Sequence, residues 1–364
     1  MKIAVLGGGN GSFAAAGDFC LSGHAVRLWR QKSEDAEAHM TAGGRIGVID
    51  QMGSREAKPE MITSDIAAAV EGADLIVAPV PAFAQQDIAT KLAPHLRDGQ
   101  VVYLPPGTFG SYIFARAAKD VGNRSRVSFA ETGTLPWLAR KQDRYVVRIS
   151  TRAVRLPTGV FPAKRSFAAL ALIDQAFPNA IEPSEDALSA ALMNAGPIIH
   201  PPLIIMNAGP IEHFDRWDIH KEGTQPAIRR VTDQLDNERI AVREALGYGA
   251  PHFPLANHYK ADGEIGMYPR DAHDQLTGSN DWREHLDLMR HRYMLEDTRL
   301  GLSFLSSVAK LAGVPVPLAN AFLNIGSVVA GQSFESTGRT LNSLGLNEIG
   351  VRDLKRVLAE GFEV

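Results

Sequence analysis

The sequence predicts two domains, an N-terminal doubly wound parallel α/β sheet followed by a C-terminal domain that is mostly helical. The chain has 364 residues, of which 45% are hydrophobic, and domains of roughly 100 to 200 residues imply two of them. Short apolar runs alternate with helical segments up to about residue 180, as in a parallel sheet covered on both faces. Beyond about residue 183 only helical spacing remains.

In the N-terminal half, short apolar runs bounded by Gly, Pro, Asp or Asn predict buried strands. They are Lys2–Leu6, Ala25–Trp29, Leu75–Pro79, Gln100–Leu104, Val127–Ala130 and Tyr145–Ile149. Between them, apolar residues at intervals of three and four predict helices that cross the sheet. These are Ser12–Ser22, Asp65–Glu71, Phe83–Ala93 and Tyr112–Val121.

The C-terminal half contains further segments of helical periodicity. They are Glu185–Ala195, Gln225–Ala245, Arg283–Ala312 and Leu318–Val329. Ser184 is a plausible N-cap for the first of these, which places the boundary at Pro183 and gives domains 1–182 and 183–364. The segment Ala250–Asn280 predicts a long loop or a broken helix, and loops of that length usually serve a site.

Composition disfavours several classes of partner. The chain has 38 Lys and Arg against 41 Asp and Glu, a net charge of −3, so no basic field for nucleic acid is expected. A single cysteine, Cys20, disfavours a disulfide framework and a cysteine zinc site and suits the cytoplasm. The first residues lack a signal-peptide pattern, and no window reaches the roughly 18 uninterrupted apolar residues of a membrane span. We therefore expect no membrane partner.

A glycine-rich turn follows the first predicted strand. The sequence Gly7-Gly8-Gly9-Asn10-Gly11-Ser12-Phe13 leads directly into a helix, which is the context of a dinucleotide-binding turn. Gly7 permits the tight turn, Gly9 lets a pyrophosphate approach, and the helix N-terminus at Asn10, Gly11 and Ser12 would hold its charge. Ser12 stands where Gly or Ala is usual, so the helix must tolerate a hydroxyl or shift. The alternative is a turn that binds nothing.

The residue after the second strand predicts the form of the nucleotide. An acid there binds a ribose 2′-hydroxyl, whereas an arginine accommodates a 2′-phosphate. Here the residue is Arg30, Lys32 adds a second cation, and the nearest acids come several residues later. We therefore expect NADP(H) to be preferred over NAD(H), which stays possible. The alternative is that Arg30 only ends a strand in solvent.

Two later strand ends are expected to face the same crevice. Val80 and Pro81 follow one strand, and Pro106 and Gly107 follow the next. Ligands of open α/β sheets bind outside the carboxyl ends of the strands, so these residues are predicted to line the nicotinamide ribose. The alternative is a pair of ordinary proline-rich turns.

The helical half offers one unusual histidine. His200 lies in an apolar run and precedes two prolines, which are expected to break a helix and aim the side chain into a cavity. Reduction of a carbonyl or imine needs a proton donor near neutral pKa, a task suited to histidine. Taken alone, a histidine in an apolar segment is more often a satisfied core residue.

Several motifs in fixed order resemble the opine dehydrogenases, the octopine and nopaline dehydrogenase-like family. They are Gly7–Phe13, the element from Asn194 to His200-Pro201, the segment Arg292–Asp297 followed by Leu300-Gly301-Leu302, and the late Val314–Pro317. The resemblance spans nearly the whole chain. It implies NAD(P)H-dependent reductive condensation of a 2-oxo acid with the amino group of an amino acid, and the reverse oxidation.

The resemblance also implies roles for four residues. His200 and Asp297 match the pair that handles the proton, in which the carboxylate fixes the imidazole tautomer. Arg292 matches the position that binds the carboxylate of the 2-oxo acid, a task that suits the guanidinium fork. Asn194 is expected to contact the nicotinamide or the substrate.

Some features depart from the family pattern. Arg30 stands where an acid is often found, which argues against NAD. The segments His213–His220 and Asn257–Glu264 are more charged than a pocket for an apolar amino acid requires, so they suggest a polar substrate. A metal site made of His213, Asp215 and His220 has the wrong spacing for a helical pair or a finger, and we expect no metal.

Two other functions fit parts of the pattern. A ketone or hydroxy-acid oxidoreductase of the same two-domain plan would need no amine. Such reductases often use a lysine, and the predicted helix leading to His200 has none. A non-catalytic NADP(H)-binding sensor would keep the glycine turn but would need no histidine–carboxylate pair. The partners expected are small molecules, and a homodimer is possible.

Overall fold

The computed structural model describes residues 1–259, 264 and 266–362. The chain forms two compact units, one made of Met1–Ala191 with the C-terminal segment from Val357, the other of Leu192–Arg356. The first unit extends past Pro183 because the chain before the next helix packs on a strand. A Cβ built on Gly159 would lie only 2.0 Å from the backbone oxygen of Asp186.

Two sheets organise the first unit. The strands are β1 (Lys2–Leu6), β2 (Ala25–Trp29), β3 (Ile46–Asp50), β4 (Gly53–Ala57), β5 (Met61–Thr63), β6 (Leu75–Val77), β7 (Val101–Leu104), β8 (Ser128–Thr132), β9 (Trp137–Asp143), β10 (Val146–Arg152), β11 (Leu156–Phe161) and β12 (Ile181–Pro183). The larger sheet has the order β12-β11-β8-β7-β6-β1-β2-β5, and the smaller has the order β4-β3-β10-β9. In the larger sheet β1 pairs in parallel with both β2 and β6, and only β11 with β8 is antiparallel.

The first unit contains the four crossing helices predicted from periodicity and three others. They are α1 (Asn10–Leu21), α2 (Ser33–Thr41), α3 (Ile66–Val70), α4 (Gln85–Leu92), α5 (Gly110–Asp120), α6 (Ser166–Asp174) and α7 (Ala187–Ala191). Short 3₁₀ turns lie at Ala82–Ala84, Ala93–His95 and Ala163–Arg165. The N-cap assigned to Ser184 is wrong, because α7 begins at Ala187 and the Asp186 carboxylate accepts the backbone N–H of Ser189 at 2.9 Å.

The second unit is mostly helical, as predicted. Its elements are α8 (Gly196–Met206), α9 (Ala208–His213), β13 (Trp217–Asp218), α10 (Pro226–Ala245), a 3₁₀ turn at Leu255–Tyr259, α11 (Ala272–Gly278), β14 (Arg283–Glu284), a π-helix at Tyr293–Leu302, α12 (Ser303–Ala312), α13 (Pro317–Val329) and α14 (Phe334–Thr337). The last helix, α15 (Val351–Glu360), begins in this unit and ends in the first. The single helix predicted over Arg283–Ala312 is wrong. A strand, an irregular stretch and the π-helix precede α12 there.

The prolines after His200 do not break the helix. Pro201 and Pro202 both lie inside α8, although neither supplies an N–H to the helical ladder. Their neighbours Leu203 and Ile204 are 2% and 0% exposed, so apolar packing offsets the missing bonds. The prediction of a break at this point is wrong.

One region has the length and hydropathy of a membrane span, Ala187–Met206, and 72% of it is buried. Residues 192–195 interrupt it, so it comprises α7 and α8. Buried core helices of globular proteins have the same composition.

The long segment predicted at Ala250–Asn280 is partly ordered by α10. The Asp236 carboxylate accepts the backbone N–H of Leu255 at 2.8 Å, and Arg239 donates to the His252 carbonyl at 2.8 Å. Residues 260–263 and 265, which include part of the polar stretch from Asn257, lie outside the described residues.

Candidate active site

The glycine turn has the geometry that a dinucleotide site needs. Gly7 has a φ of +123°, which favours glycine, and a Cβ there would lie 2.5 Å from the Ser12 hydroxyl oxygen. That hydroxyl is buried and donates to the Leu6 carbonyl at 3.3 Å. Ser12 therefore fits without a shift of the helix, because Gly7 leaves room for it.

The N-terminus of α1 is open to an anion. Gly9 is its N-cap, no side chain caps the helix, and a Cβ built on Gly9 would meet nothing within 4 Å. The first N–H groups are thus available to a pyrophosphate. The Asn10 side chain accepts the backbone N–H of Lys141 at 3.0 Å, and Gly11 packs closely on Leu135 and Pro79. These contacts hold the turn in place.

Arg30 lies against this turn. A Cβ on Gly8 would come within 2.7 Å of Arg30 Nε. The Arg30 side chain is only 10% exposed, and its Nη1 is buried with no hydrogen-bond partner. A buried guanidinium with one unsatisfied nitrogen, beside a nucleotide-binding turn, fits a phosphate group. Lys32, in contrast, is exposed at the start of α2.

The two later strand ends differ in their surroundings. Val80 lies beside the turn, since its Cγ1 would be 3.3 Å from a Cβ on Gly7, and Pro81 precedes a 3₁₀ turn. Gly107, which follows Pro106, has another reason to be glycine: a Cβ there would overlap the buried Glu131 carboxylate at 1.8 Å. Contact of these four residues with a nicotinamide ribose stays a prediction.

Glu131 has a structural role that its position at a strand end did not reveal. Its carboxylate accepts the backbone N–H groups of Phe109 at 3.0 Å and Ser111 at 3.1 Å. These groups lie at the N-terminus of α5, where such donors have no partner within the helix. Glu131 therefore caps that helix.

The second unit brings the predicted proton pair together. His200 projects from α8 and Asp297 from the π-helix, and His200 Nδ1 lies 2.8 Å from Asp297 Oδ2. The side chains are 18% and 7% exposed. Because Asp297 holds Nδ1, Nε2 is the ring nitrogen left for a substrate or a solvent molecule.

Two glycines, one on each element, permit the contact between His200 and Asp297. A Cβ on Gly196 would lie 2.4 Å from Asp297 Oδ1, and a Cβ on Gly301 would lie 2.3 Å from Pro197 Cγ. The missing side chains let α8 approach the π-helix. Wide π turns are uncommon and occur frequently at functional sites, and this one carries Asp297.

Two further residues support His200 and were missed from the sequence. The Tyr293 ring stacks on the imidazole with centroids 3.6 Å apart, and the Tyr293 hydroxyl is 2.7 Å from Nε2 of His220. Tyr293 is adjacent to Arg292 in sequence, and His220 ends the polar segment noted above, but neither pattern indicates that the two meet. Both side chains are buried.

Burial acts in opposite directions on the two members of the pair. It lowers the pKa of His200 to about 3, with a further decrease from the positive charge of Arg292. It raises the pKa of Asp297 to about 7, against the opposing effect of Arg292. Burial disfavours the charged form of each group, so the hydrogen-bonded pair titrates as one unit near neutrality.

The two residues expected to bind substrate are placed differently. Arg292 Nε lies 3.4 Å from Glu296 Oε2, and the Arg292 side chain is 53% exposed, so its guanidinium is accessible to a carboxylate. The Asn194 amide oxygen accepts the Gly196 N–H at 3.0 Å, which holds the start of α8. Their contacts with a substrate stay predictions.

Within the residues described, no three His, Cys, Asp or Glu side chains gather as ligands for a metal ion. Of the histidines considered from the sequence, His213 packs edge-on against Phe214, and His220 bonds to Tyr293.

Both halves of the chain match families of known proteins. Residues 183–330 match the model described as NAD/NADP octopine/nopaline dehydrogenase, alpha-helical domain. Residues 2–105 match the N-terminus of NAD-dependent glycerol-3-phosphate dehydrogenase. The opine dehydrogenase of Arthrobacter sp. (strain 1C) is 28% identical over 94% of this chain and 95% of its own length.

Solved structures share the fold. Octopine dehydrogenase with NADH and L-arginine has a TM-score of 0.74 at 20% identity, covering 97% of both chains. The same enzyme with NADH and pyruvate has a TM-score of 0.71 at 20% identity and 98% coverage of both. Yersinopine dehydrogenase with NADP⁺ bound has a TM-score of 0.67 at 15% identity, covering 98% of this chain and 97% of that one. The predicted fold class is thus confirmed.

Proposed function

We propose that this chain, which belongs to the opine dehydrogenase family, uses NAD(P)H to condense a 2-oxo acid with the amino group of an amino acid and catalyses the reverse oxidation. One observation carries the proposal. The His200–Asp297 pair, joined at 2.8 Å, lies within the residues that match the octopine/nopaline dehydrogenase helical domain. The relatives named above, with pyruvate and L-arginine in their structures, support this pair of substrate classes.

The chemistry explains why a proton pair is needed. The amine attacks the carbonyl carbon of the oxo acid, and loss of water leaves an imine. A bound NAD(P)H supplies the hydride that reduces the imine carbon. The protein must accept a proton from the substrate ammonium, so that the free amine can attack, and must deliver protons to the departing oxygen. His200, with Nδ1 held by Asp297, is proposed to make these transfers through Nε2.

The titration of the pair suits both directions. With one proton the pair can donate the proton that condensation consumes overall. Without it the pair accepts, as oxidation requires. A pair that titrates near neutrality is populated in both forms at physiological pH.

Arg292 is proposed to bind the carboxylate of the 2-oxo acid. Its guanidinium is half exposed and contacts Glu296 only at 3.4 Å, so it can form two parallel N–H bonds to a substrate carboxylate. Asn194, at the start of the same helix as His200, is proposed to contact the nicotinamide or the substrate.

We propose that NADP(H) is the preferred nucleotide and that NAD(H) also binds. The support is Arg30, which follows β2 and has an unsatisfied buried Nη1. Structural neighbours have been solved with NADH and with NADP⁺, so the fold accepts either. We also propose a cytoplasmic location, supported by the single cysteine. A homodimer stays a prediction, which sedimentation analysis would test.

The decisive experiment measures NADPH oxidation with pyruvate alone and then with a panel of amino acids added. An opine dehydrogenase consumes NADPH only when both substrates are present and yields a secondary amine detectable by mass spectrometry. Turnover on the oxo acid that ignores the amine would reject the proposal in favour of a ketone or hydroxy-acid reductase. Nucleotide binding without turnover on any pair would favour a sensor.

A further inference from the structure

Three cations from different elements gather around one carboxylate in the first unit. Arg30 Nη2 lies 3.7 Å from Asp35, and Arg144 Nη2 lies 3.9 Å from the other oxygen of the same carboxylate. Both arginines and Asp35 act electrostatically on Lys141, which lies near the end of β9. We call Arg30, Lys141, Arg144 and Asp35 the Asp35 cation cluster.

The cluster carries more positive than negative charge. Burial lowers the pKa of Arg30 and of Lys141, and Arg144 lowers each of them further. Asp35 opposes this effect on both residues and outweighs Arg144 at Arg30, whereas at Lys141 the repulsion from Arg30 is larger than the attraction of Asp35. Asp143 also acts on Lys141, but its carboxylate accepts the Arg144 backbone N–H at 2.6 Å. Cations held together against repulsion favour a bound anion.

Aromatic rings hold two of the cations in place. The Phe13 ring centroid is 4.0 Å from Lys141 Nζ and 5.3 Å from Arg30 Cζ, both within the range of cation–π attraction. Phe13 stacks on His39 at 5.5 Å, and His39 stacks on Tyr145 at 4.1 Å. This stack joins α1, α2 and the start of β10 beneath the charges.

The cluster is tied to the glycine turn at two points. Arg30 lies against Gly8, where a Cβ would come within 2.7 Å of its Nε. The backbone N–H of Lys141 donates to the Asn10 side chain at 3.0 Å, and Asn10 is the first residue of α1. The end of β2 is where dinucleotide folds bind the adenosine ribose. Buried Arg30 Nη1 and the Tyr145 hydroxyl have no hydrogen-bond partner.

We propose that Lys141 and Arg144, contributed by the smaller sheet, complete with Arg30 a binding site for the 2′-phosphate of NADP(H). This rests on the proposed NADP(H) preference and assigns it to residues outside the nucleotide-binding turn. A 2′-phosphomonoester carries nearly two negative charges, which would offset the excess positive charge of the cluster. Arg30 offers a planar fork to the phosphate oxygens, and Lys141 offers a compact charge.

The test measures binding without any reaction. Calorimetric titration of the whole protein with adenosine 2′,5′-bisphosphate and with 5′-AMP compares ligands that differ only in the 2′-phosphate. We expect Lys141→Gln to weaken the bisphosphate about tenfold or more and to leave 5′-AMP within about twofold, as loss of one charge-assisted contact predicts. Arg144→Gln should have a smaller effect because its side chain is 63% exposed.

A matched control is available in the same unit. Lys119 Nζ also lies over an aromatic ring, 4.8 Å from the centroid of Phe362, so Lys119→Gln removes a similar lysine away from the cluster and should change neither affinity. Lys141→Arg keeps the charge and should retain most of the discrimination. If Lys141→Gln lowers the melting temperature, the affinities of the Arg144→Gln variant test the assignment instead, because Arg144 is exposed.

Several results would overturn the assignment. They are equal weakening of both ligands, no weakening of either, a Lys141→Arg variant as defective as Lys141→Gln, or inorganic phosphate binding as tightly as the bisphosphate. Because neither ligand requires an oxo acid or an amine, these outcomes are separate from failure of the opine reaction. If the protein forms opines with NADH and binds NADH and NADPH equally well, the proposed activity stands and the 2′-phosphate site is rejected.

Discussion

The Tyr293 ring lies flat on the His200 imidazole, with centroids 3.6 Å apart and planes 8° apart. Asp297 fixes the same imidazole at its edge through Nδ1. One contact sets the plane of the ring and the other sets its rotation within that plane. The direction of Nε2 is therefore determined by two residues of one π-helix, Tyr293 and Asp297.

Replacing Tyr293 tests this support. Tyr293→Phe keeps the stack and removes the bond to His220, so we expect a decrease in kcat of no more than a few-fold. Tyr293→Leu removes the stack, worth about 0.5–1.5 kcal/mol, and should lower kcat by about 2- to 10-fold with nucleotide affinity unchanged. Steady-state kinetics on both variants measures this, with Tyr248→Phe as a control in the same unit. Equal kcat in Tyr293→Leu and the parent protein would show that the stack does not position His200.

Removing the imidazole should separate catalysis from nucleotide binding. His200→Ala eliminates the proposed acid and base, and such catalysis contributes roughly 10²–10⁴-fold. We expect kcat to fall within that range while NADPH affinity, measured by fluorescence titration, stays unchanged, since the residues predicted to bind the pyrophosphate and the riboses belong to the other compact unit. His95→Ala, in the first unit, is the control. Loss of affinity in parallel with kcat would contradict the division of roles.

The shifted pKa values predict opposite pH profiles for the two directions. Below a pH of about 7, the value to which burial raises the pKa of Asp297, the pair holds a proton. Above it the pair carries one negative charge. The condensation rate should therefore fall as the pH rises through this value, and the oxidation rate should fall as the pH decreases through it.

The Asp297→Asn variant provides the control for this profile. It removes the carboxyl group whose pKa is raised, while an amide oxygen can still accept from Nδ1. The transition near pH 7 should then disappear from kcat/KM in both directions. A transition that persists unchanged would assign it to another group, such as the amine of the substrate.

The close approach of α8 to the π-helix predicts an unusual effect of alanine. Gly196→Ala would normally stabilise a helix, by up to about 1 kcal/mol, but here the new Cβ would lie 2.4 Å from Asp297 Oδ1. We expect this carboxylate to move and kcat to decrease at least tenfold. Gly209→Ala in α9 is the matched control, since its Cβ would meet nothing within 4 Å, and it should leave kcat unchanged. Thermal unfolding of both variants separates loss of the pair from loss of the fold.

The sequence predicted the parallel sheet well where strands are buried on both faces. β1 and β2 were placed at their observed ends because each is an apolar run ended by Gly or by a charged residue. The run Tyr145–Ile149 was assigned to the same sheet, but its strand pairs with β9 and β3 in the smaller sheet. An apolar run specifies a strand and does not specify its neighbour.

The candidate site shows the same limit. His200 and Asp297 are 97 residues apart, and only the resemblance to a family joined them, because periodicity carries no information about such contacts. Tyr293, His220 and Lys141 were missed since their roles come from stacking and approach in three dimensions. The expected break at Pro201 was wrong because apolar burial in α8 outweighs a local helix preference.

Reversing the charge at Arg30 tests the nucleotide preference directly. Arg30→Asp places a second carboxylate beside Asp35 and removes the guanidinium next to the glycine turn. A carboxylate at the end of β2 accepts hydrogen bonds from a ribose 2′-hydroxyl and repels a 2′-phosphate. We therefore expect the ratio of kcat/KM for NADPH to that for NADH to fall by about 10- to 100-fold, as loss of a charge-assisted contact with added repulsion predicts. Arg45→Asp, whose parent arginine is exposed and paired with Glu56, is the control. An unchanged ratio in Arg30→Asp would mean that the side chain ends a strand and does not select the nucleotide.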